Sequence, residues 1–221
     1  DGTGDGSSWE NATAKLEYAT AIASDGTTQV WVKKGKYYGD KSDENGAICI
    51  YPRNRIYGGF AGNEAPDFDI NNRDLESNQT ILDGENNIRV LYQSDHFASS
   101  AYSIFDGFTI QNGNSGSGGG LFVSSNSRFY NCRFINNTTN GQGGAVLTNS
   151  PIDNNSTNIF ENCTFENNSA SMGGAIFDVN GLKLINCKFI NNTANTKGGA
   201  YYVFSNKKPI LINCVFSYNS S

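Results

Sequence analysis

Short stretches in which apolar and polar residues alternate recur along most of this chain. In residues 131–137, Cys132 and Phe134 flank the polar Arg133. A period of two is typical of β-strands, because successive side chains of a strand point to opposite faces. The pattern therefore predicts a strand in which Cys132 and Phe134 point inward and Arg133 points outward.

This segment belongs to an internal repeat, N-C-x-F-x-x-N, that occurs four times. The aligned positions are Asn131, Asn162, Asn186 and Asn213; Cys132, Cys163, Cys187 and Cys214; Phe134, Phe165, Phe189 and Phe216; and Asn137, Asn168, Asn192 and Asn219. A glycine pair that opens a short apolar strand follows each of the first three copies, and residues 107–122 fit the same register as an earlier, degenerate copy. The copies are 24 to 31 residues apart, and such a period indicates a solenoid.

The residues between the strands indicate the kind of solenoid. Leucine-rich, ankyrin and tetratricopeptide arrays need a helix in every repeat, whereas Asn, Gly and Thr crowd these segments and disfavour helices. Asn and Gly suit tight corners because both tolerate positive φ, and amides stacked at the strand spacing of ~4.8 Å form ladders. We therefore predict an all-β fold, a parallel β-helix in which the repeated Asn, Cys and Phe residues are structural.

The N-terminal part of the chain follows a different pattern. Residues 10–24 form the best amphipathic stretch, with Trp9 and Leu16 near one face, and predict a helix. A helix over the first coil would cover the open end of the solenoid. We predict a single domain, with this cap and the first coils in residues 1–60 and regular coils in residues 61–221.

The C-terminal end has no comparable device. The chain stops after the fourth copy of the repeat and before the glycine pair that the repeat predicts next. We expect the array to be incomplete at this end and the last strand segment, residues 210–216, to associate with another copy, because unpaired apolar strands are sticky. Contact between two C-terminal ends would give a dimer, and head-to-tail contact would give filaments.

Several motifs resemble known families. The segments GSSWENA (6–12), VWVKKGKY (30–37), YGGFAGNE (57–64), TILDG (80–84) and DGFTI (106–110) together resemble secreted right-handed parallel β-helix proteins of Bacteroidetes and related bacteria. The later N-C-x-F-x-x-N and glycine-pair copies are similar to the repeats of chlamydial polymorphic outer-membrane proteins, which are autotransporter adhesins. The resemblance implies a right-handed β-helix that is secreted or at the cell surface. It carries no catalytic motif.

Composition narrows the partners. Hydrophobic residues make up 37% of the chain and aromatic residues 12%, which favours a folded protein. The net charge of −5 argues against a nucleic-acid partner, and no run approaches the ~20 apolar residues of a membrane helix. The chain opens on no cationic, apolar leader, so it is either cytosolic or a trimmed mature chain. The resemblance favours the second reading.

The five cysteines allow two interpretations. Four occupy one inward position of successive repeats, where stacked buried thiols pack as small apolar groups. A disulfide between stacked members is the alternative, because the coil spacing lies within bonding range. Cys49 lies outside the repeat, and the sequence contains no CxxC pair, so a zinc site is not expected.

Parallel β-helices are also the scaffold of polysaccharide lyases and hydrolases, so candidate catalytic residues were sought. Asp83 and Asp106 both precede a glycine, 23 residues apart, and are the candidates for a stacked carboxylate pair, although turn capping by their side chains is the favoured interpretation. Arg133 and Lys188 share an outward position and are candidate bases or part of a solvated face. The only histidine, His96, has no aligned carboxylate and is a poor candidate base.

No cofactor is expected, with calcium as the one candidate ion. Asp1 and Asp5 lie in a glycine-rich segment with the acid density of a calcium loop, but without the spacing of an EF-hand. The predicted function is a non-catalytic adhesive, structural or filament-forming module whose Asn, Thr and Tyr side chains contact carbohydrate or a surface protein. The alternative is a lyase or glycoside hydrolase acting on an acidic polysaccharide.

Overall fold

The chain forms a right-handed parallel β-helix of about six turns, seen in a computed structural model. The structure describes residues 3–39, 47–93, 102–124, 126–149, 157–179, 181–204 and 206–221. Four parallel sheets, here named A to D, run along the solenoid, and each coil passes from A to B, through D where that sheet is present, and on to C. The predicted fold class is confirmed.

The strands of each sheet are stacked in chain order. Sheet A contains β1 (Gln29–Lys33), β4 (Arg55–Phe60), β7 (Ser103–Asp106), β11 (Ser127–Tyr130), β15 (Ile159–Glu161), β19 (Lys183–Ile185) and β23 (Ile210–Ile212). Sheet B contains β2 (Gly35–Tyr38), β5 (Thr80–Asp83), β8 (Phe108–Gln111), β12 (Arg133–Ile135), β16 (Thr164–Glu166), β20 (Lys188–Ile190) and β24 (Val215–Ser217). Sheet C contains β3 (Ile48–Ile50), β6 (Leu91–Gln93), β10 (Leu121–Val123), β14 (Val146–Thr148), β18 (Ile176–Asp178) and β22 (Tyr201–Val203). Sheet D contains β9 (Asn114–Ser115), β13 (Thr138–Thr139), β17 (Ser169–Met172) and β21 (Thr193–Lys197).

The core is a stack of identical side chains. The register pairs Phe134 with Phe165, Phe165 with Phe189, and Phe189 with Phe216. The ring centroids are 5.0, 4.7 and 4.6 Å apart, and the rings are nearly parallel. Each ring therefore contacts the one above and the one below, so apolar burial and ring stacking reinforce each other at every coil.

Two asparagine ladders close the corners on either side of sheet B. In the outer ladder, the side-chain amides of Asn162, Asn186 and Asn213 each donate to the Oδ1 of the asparagine one coil earlier, at 3.4, 3.1 and 2.8 Å. These residues have φ near +50°, a conformation that Asn tolerates better than most residues. The outer ladder ends on a carboxylate, because Asn131 donates to Asp106 Oδ1 at 2.8 Å.

The inner ladder runs in the opposite direction and is buried. Asn137, Asn168 and Asn192 each donate through Nδ2 to the Oδ1 of the next asparagine, and the series ends at Asn219. The same Nδ2 atoms also donate to backbone carbonyls of the preceding coil, as Asn168 does to Phe134 at 3.0 Å. The ladder thus satisfies backbone and side-chain groups that would otherwise be buried without partners.

The glycine pair of each repeat meets two different constraints. Gly173 has a φ of +64°, which strains residues with a side chain. Gly174 has no such φ, but a Cβ atom there would collide with the Gly199 carbonyl oxygen of the next coil. The first glycine therefore turns the chain, and the second lets neighbouring coils approach each other.

The N-terminal helix is shorter than predicted. Helix α1 spans Leu16–Ile22 rather than residues 10–24, and Trp9 lies outside it, packed against Trp31 and Phe60. Short polar side chains compete for the backbone before the helix, as when Thr13 Oγ1 accepts from the Lys15 amide. Leu16 still enters the core, so the helix lies against the first coil as expected. Among the described residues, no helix is long and apolar enough to cross a membrane.

The repeat cysteines are stacked, and all five cysteines of the chain are free thiols. Cys132, Cys163 and Cys187 are buried, and each thiol lies within hydrogen-bonding distance of backbone carbonyls, as Cys163 does with Phe129 at 3.4 Å. Burial raises the pKa of the Cys163 thiol well above its ordinary value. The three buried thiols therefore serve as small core groups, and that of Cys163 is poorly reactive in the folded chain.

Reductant is accordingly expected to leave the melting temperature unchanged. No described coil depends on a covalent bridge, and thiol titration after denaturation should count five free thiols. Fewer than five, or a lower melting temperature in dithiothreitol, would show that stacked cysteines are cross-linked instead.

Candidate functional site

The Asp83 carboxylate forms hydrogen bonds and an ion pair with neighbouring residues of the solenoid. Its carboxylate lies 3.0 Å from Lys36 Nζ and accepts from the Gln111 and Asn112 side-chain amides and from the Glu85 backbone amide. Partial burial would raise the pKa of Asp83, but the hydrogen bonds, that of Gln111 first among them, outweigh it and lower the pKa to about 2. The group is therefore ionised at neutral pH and is a poor general acid.

Asp106 is also held by structural contacts, and it does not stack on Asp83. Asp106 lies in sheet A between Tyr57 and Tyr130, whereas Asp83 lies in sheet B. An Asp-Gly dipeptide marks a turn without saying which corner of the coil it occupies, so the carboxylate pair, the less favoured interpretation, is wrong. Asp106 pairs with Arg73 Nη2 at 2.8 Å and ends the outer ladder.

Arg133 and Lys188 do share one outward row, with Thr164 between them. The Arg133 guanidinium lies 3.9 Å from the Glu166 carboxylate on the next coil. The sign of the charged side chains alternates between successive described stretches of the chain. All charged side chains are positive in residues 126–149, negative in residues 157–179 and positive again in residues 181–204. Opposite charges on adjacent strands stabilise a sheet, so this alternation favours a structural role for both cations.

Asp178 is a buried carboxylate that the sequence analysis did not single out. It accepts from Thr148 Oγ1 at 2.7 Å, from the Tyr201 hydroxyl at 2.6 Å, and from the backbone amides of Gly181 and Leu182. Burial, together with the negative charge of Asp178, raises the pKa of Tyr201. The Asp178 carboxylate closes the corner between sheets C and A and has no exposed surface for a substrate.

Residues 61–79 form a long connection between β4 and β5 that returns across the solenoid. Arg73 anchors it, since its guanidinium donates to the Gly58 and Asp106 carbonyls and to the Asp106 carboxylate. Leu75 then covers Gly107, at which an added Cβ would lie 2.8 Å from the leucine side chain. The connection is therefore held against the outer surface at the corner between sheets A and B.

A cleft of about 230 Å³ lies beside this connection. We name it the corner cleft. Its lining includes Leu75, Glu76, Gln79, Thr109, Asn131 and Arg133. Arg133 is half exposed, and Glu76 and Gln79 are exposed, so the cleft is open to solvent. Sequence reasoning found only Arg133 and Asn131 of this set, although the length of the connection before Thr80 was a usable signal.

A larger hollow of about 900 Å³ lies at the N-terminal end, between residues 5–13, helix α1 and β1. Trp9, Trp31 and Tyr37 contribute to its lining, together with Leu16 and Val32. Because Leu16 and Val32 belong to the core cluster, this hollow is continuous with the core of the first coil.

The metal candidates find little support in the described residues. Asp5 accepts from the Ser7 backbone amide at 2.9 Å, and hydrogen bonds from Ser7 lower the pKa of Asp5 to about 2. No group of three or more His, Cys, Asp or Glu side chains suited to a metal occurs in the part of the chain that the structure describes. Asp1 and His96 lie outside the described residues.

Comparison with known proteins agrees with the observed architecture. A family model described as "Right handed beta helix region" matches residues 41–216, which is most of the chain. Comparison with curated proteins and with solved structures gave no match. The stacked parallel strands and the extent of the family match together place the chain in the right-handed β-helix family.

Proposed function

We propose that the protein is an extracellular or cell-surface module that binds carbohydrate without cleaving it. The observation that carries this proposal is a neutral polar surface around sheet D, named here the amide face. It consists of Asn136, Asn167 and Asn191 at the corner before sheet D, with Thr138, Ser169 and Thr193 on the sheet itself.

The side chains of the amide face have unused hydrogen-bonding capacity. Those of Asn136, Asn167 and Asn191 form no hydrogen bond with other described residues, in contrast to the amides of the outer ladder. Thr138 pairs in register with Ser169, and Ser169 with Thr193, so hydroxyl groups repeat at the strand spacing of ~4.8 Å. Amides and hydroxyls both donate and accept, which suits the many hydroxyl groups of a glycan.

The engagement of the candidate acids supports a non-catalytic role. Asp83 and Asp106, the candidate acids of a hydrolase, lie in different sheets, and each is held by a cation and an amide. A glycosidase needs two carboxyl groups that face one substrate across a few ångströms. Asp83 and Asp106 therefore do not supply the acid pair that the hydrolase alternative requires.

The proposal predicts retention of the protein by neutral polysaccharide. In affinity electrophoresis, mobility should fall in gels that contain xylan, dextran or laminarin. Ser169→Glu, which places a charge in the middle of the amide face, should weaken retention at least fivefold, because a buried or crowded charge costs desolvation on contact.

Thr157→Glu is the matched control, since it adds the same charge at an exposed position before sheet A, outside both the amide face and the lining of the corner cleft. It should leave retention unchanged. Unaltered mobility of the parent protein in all three gels would overturn the proposal. An equal loss of retention in both variants would show that binding does not take place at the amide face.

The last coil motivates a prediction about self-association. Leu211 and Phe216 align with buried core residues but are 42% and 45% exposed, and β23 and β24 have strand partners on one side only. Contact between two C-terminal ends would give a dimer, and head-to-tail contact would give filaments.

The 221-residue chain is therefore expected to self-associate with increasing concentration. Light scattering on dilution should show the mass fall towards that of the monomer, and Ile212→Lys should abolish the association by placing a charge in the exposed stack. A strictly monomeric parent across the micromolar range would contradict this expectation.

A further inference from the structure

The corner cleft differs from the amide face in shape and chemistry, and of its polar lining side chains named above only Asn131 belongs to an asparagine ladder. We propose that it holds one neutral sugar unit of a glycan, with Arg133 and Gln79 contacting its hydroxyl groups. This inference rests on the proposed carbohydrate-binding function and adds a specific site to it.

The cleft lies between the long connection and the next coil. Gly107 occupies the corner position at which the next coil has Asn131, as shown by the bond from the Gly107 amide to the Tyr130 carbonyl. Because Gly107 has no side chain, Leu75 packs directly over its backbone and, with Gln79, forms one wall of the cleft, while Asn131 and Arg133 form the other. A volume of about 230 Å³ corresponds to roughly eight water molecules, which is the scale of a single sugar ring.

Several polar groups that line the cleft are unused. The side chains of Glu76, Gln79 and Thr109 form no hydrogen bond with other described residues. Glu76 offers only acceptors and Arg133 only donors, while Gln79 and Thr109 offer both. A hydroxyl group donates and accepts at once, so adjacent hydroxyls on a sugar ring can satisfy this mixed set. Leu75 supplies an apolar surface for the ring carbons.

The charge balance selects a neutral ligand. Arg133 and Glu76 cancel each other within the cleft, and the Glu166 carboxylate lies 3.9 Å from the Arg133 guanidinium. Arg73 and Asp106 cancel each other beside it. A uronate would therefore meet no excess positive charge and would approach two carboxylates, so glucose or xylose should bind better than glucuronate.

The test is a ¹H–¹⁵N NMR titration of the full chain with glucose, xylose, galactose, N-acetylglucosamine and glucuronate. We expect a neutral sugar to shift the Gln79 side-chain amide and the Arg133 Nε signal. Arg133→Ala and Gln79→Ala should each weaken this binding at least fivefold. Lys188→Ala, in the same outward row two coils further on and outside the cleft, should leave it unchanged.

The outcomes separate this site from the general proposal. Shifts confined to Asn136, Asn167 and Ser169, with no change at Gln79, would overturn the cleft assignment and leave carbohydrate binding in place. Tighter binding of glucuronate than of any neutral sugar would overturn the ligand class. If none of these sugars binds but the protein is still retained by polysaccharide, the cleft assignment is wrong and the proposed function stands. If the sugars do not bind and the polysaccharides do not retain the protein, the proposed function is wrong as well.

Discussion

Phe189→Ala is expected to lower the free energy of unfolding by about 3–5 kcal/mol, through lost burial and the cavity that remains. Phe189 is fully buried, and its ring lies 4.7 Å from Phe165 and 4.6 Å from Phe216. The backbone hydrogen bonds between coils hold the spacing fixed, so the neighbouring rings cannot collapse into the space. For a chain of this size, each 1 kcal/mol shifts the melting temperature by about 2–4 °C.

Thermal unfolding followed by circular dichroism measures this effect. Lys188→Ala is the matched control, because the same strand presents this exposed side chain to solvent, and it should change stability by less than about 0.5 kcal/mol. A melting temperature of Phe189→Ala within a few degrees of the parent would mean that the stack of phenylalanines does not stabilise the solenoid.

Asn168→Ala should destabilise the protein by a similar amount, about 3–5 kcal/mol, although it removes a polar side chain. Asn168 is 1% exposed, and its Oδ1 accepts from the Asn137 backbone amide and from Asn137 Nδ2. Its Nδ2 donates to the Phe134 carbonyl and to Asn192 Oδ1. Removing the side chain leaves the Asn137 backbone amide and the Phe134 carbonyl without this partner, at about 1–3 kcal/mol for each group that finds no water. Asn137 Nδ2 keeps its bond to the Ile110 carbonyl, and Asn192 Oδ1 keeps the one from the Asn168 backbone amide.

The adjacent Asn167 provides the control. It has a φ of +56°, is exposed, and forms no side-chain hydrogen bond with other described residues. Asn167→Gly keeps the backbone conformation accessible and should cost less than about 1 kcal/mol in urea unfolding. Equal losses for the two variants would show that the ladder does not depend on the buried amides.

The repeat predicted the fold because each coil repeats the same physical solution. Alternation around Cys132 and Phe134 fixed the inward face, and the corner asparagines followed from positive φ. The early coils lack these signals. The helix begins only at Leu16, because helical periodicity does not report the turns in which the Ser8 and Thr13 hydroxyl groups accept from the Asn11 and Lys15 backbone amides.

The candidate site was harder to predict, since it depends on residues far apart in the chain. The sequence placed Arg133 and Asn131 on a regular coil, but the cleft exists only because Leu75 and Gln79 return from a long connection. That return depends on the Arg73 ion pair with Asp106, 33 residues away. The carboxylate-pair interpretation of Asp83 and Asp106 fails for the same reason, because local spacing carries no information about which sheet a turn precedes.

The central claim is that this β-helix holds a glycan and leaves it intact. The most direct measurement is the length distribution of a polysaccharide by size-exclusion chromatography, after long incubation with the protein under conditions of retention. Xylan, dextran and polygalacturonate should elute unchanged, without new unsaturated or reducing ends. Shortened chains that appear with the parent protein and disappear with Asp83→Asn or Asp106→Asn would contradict the account.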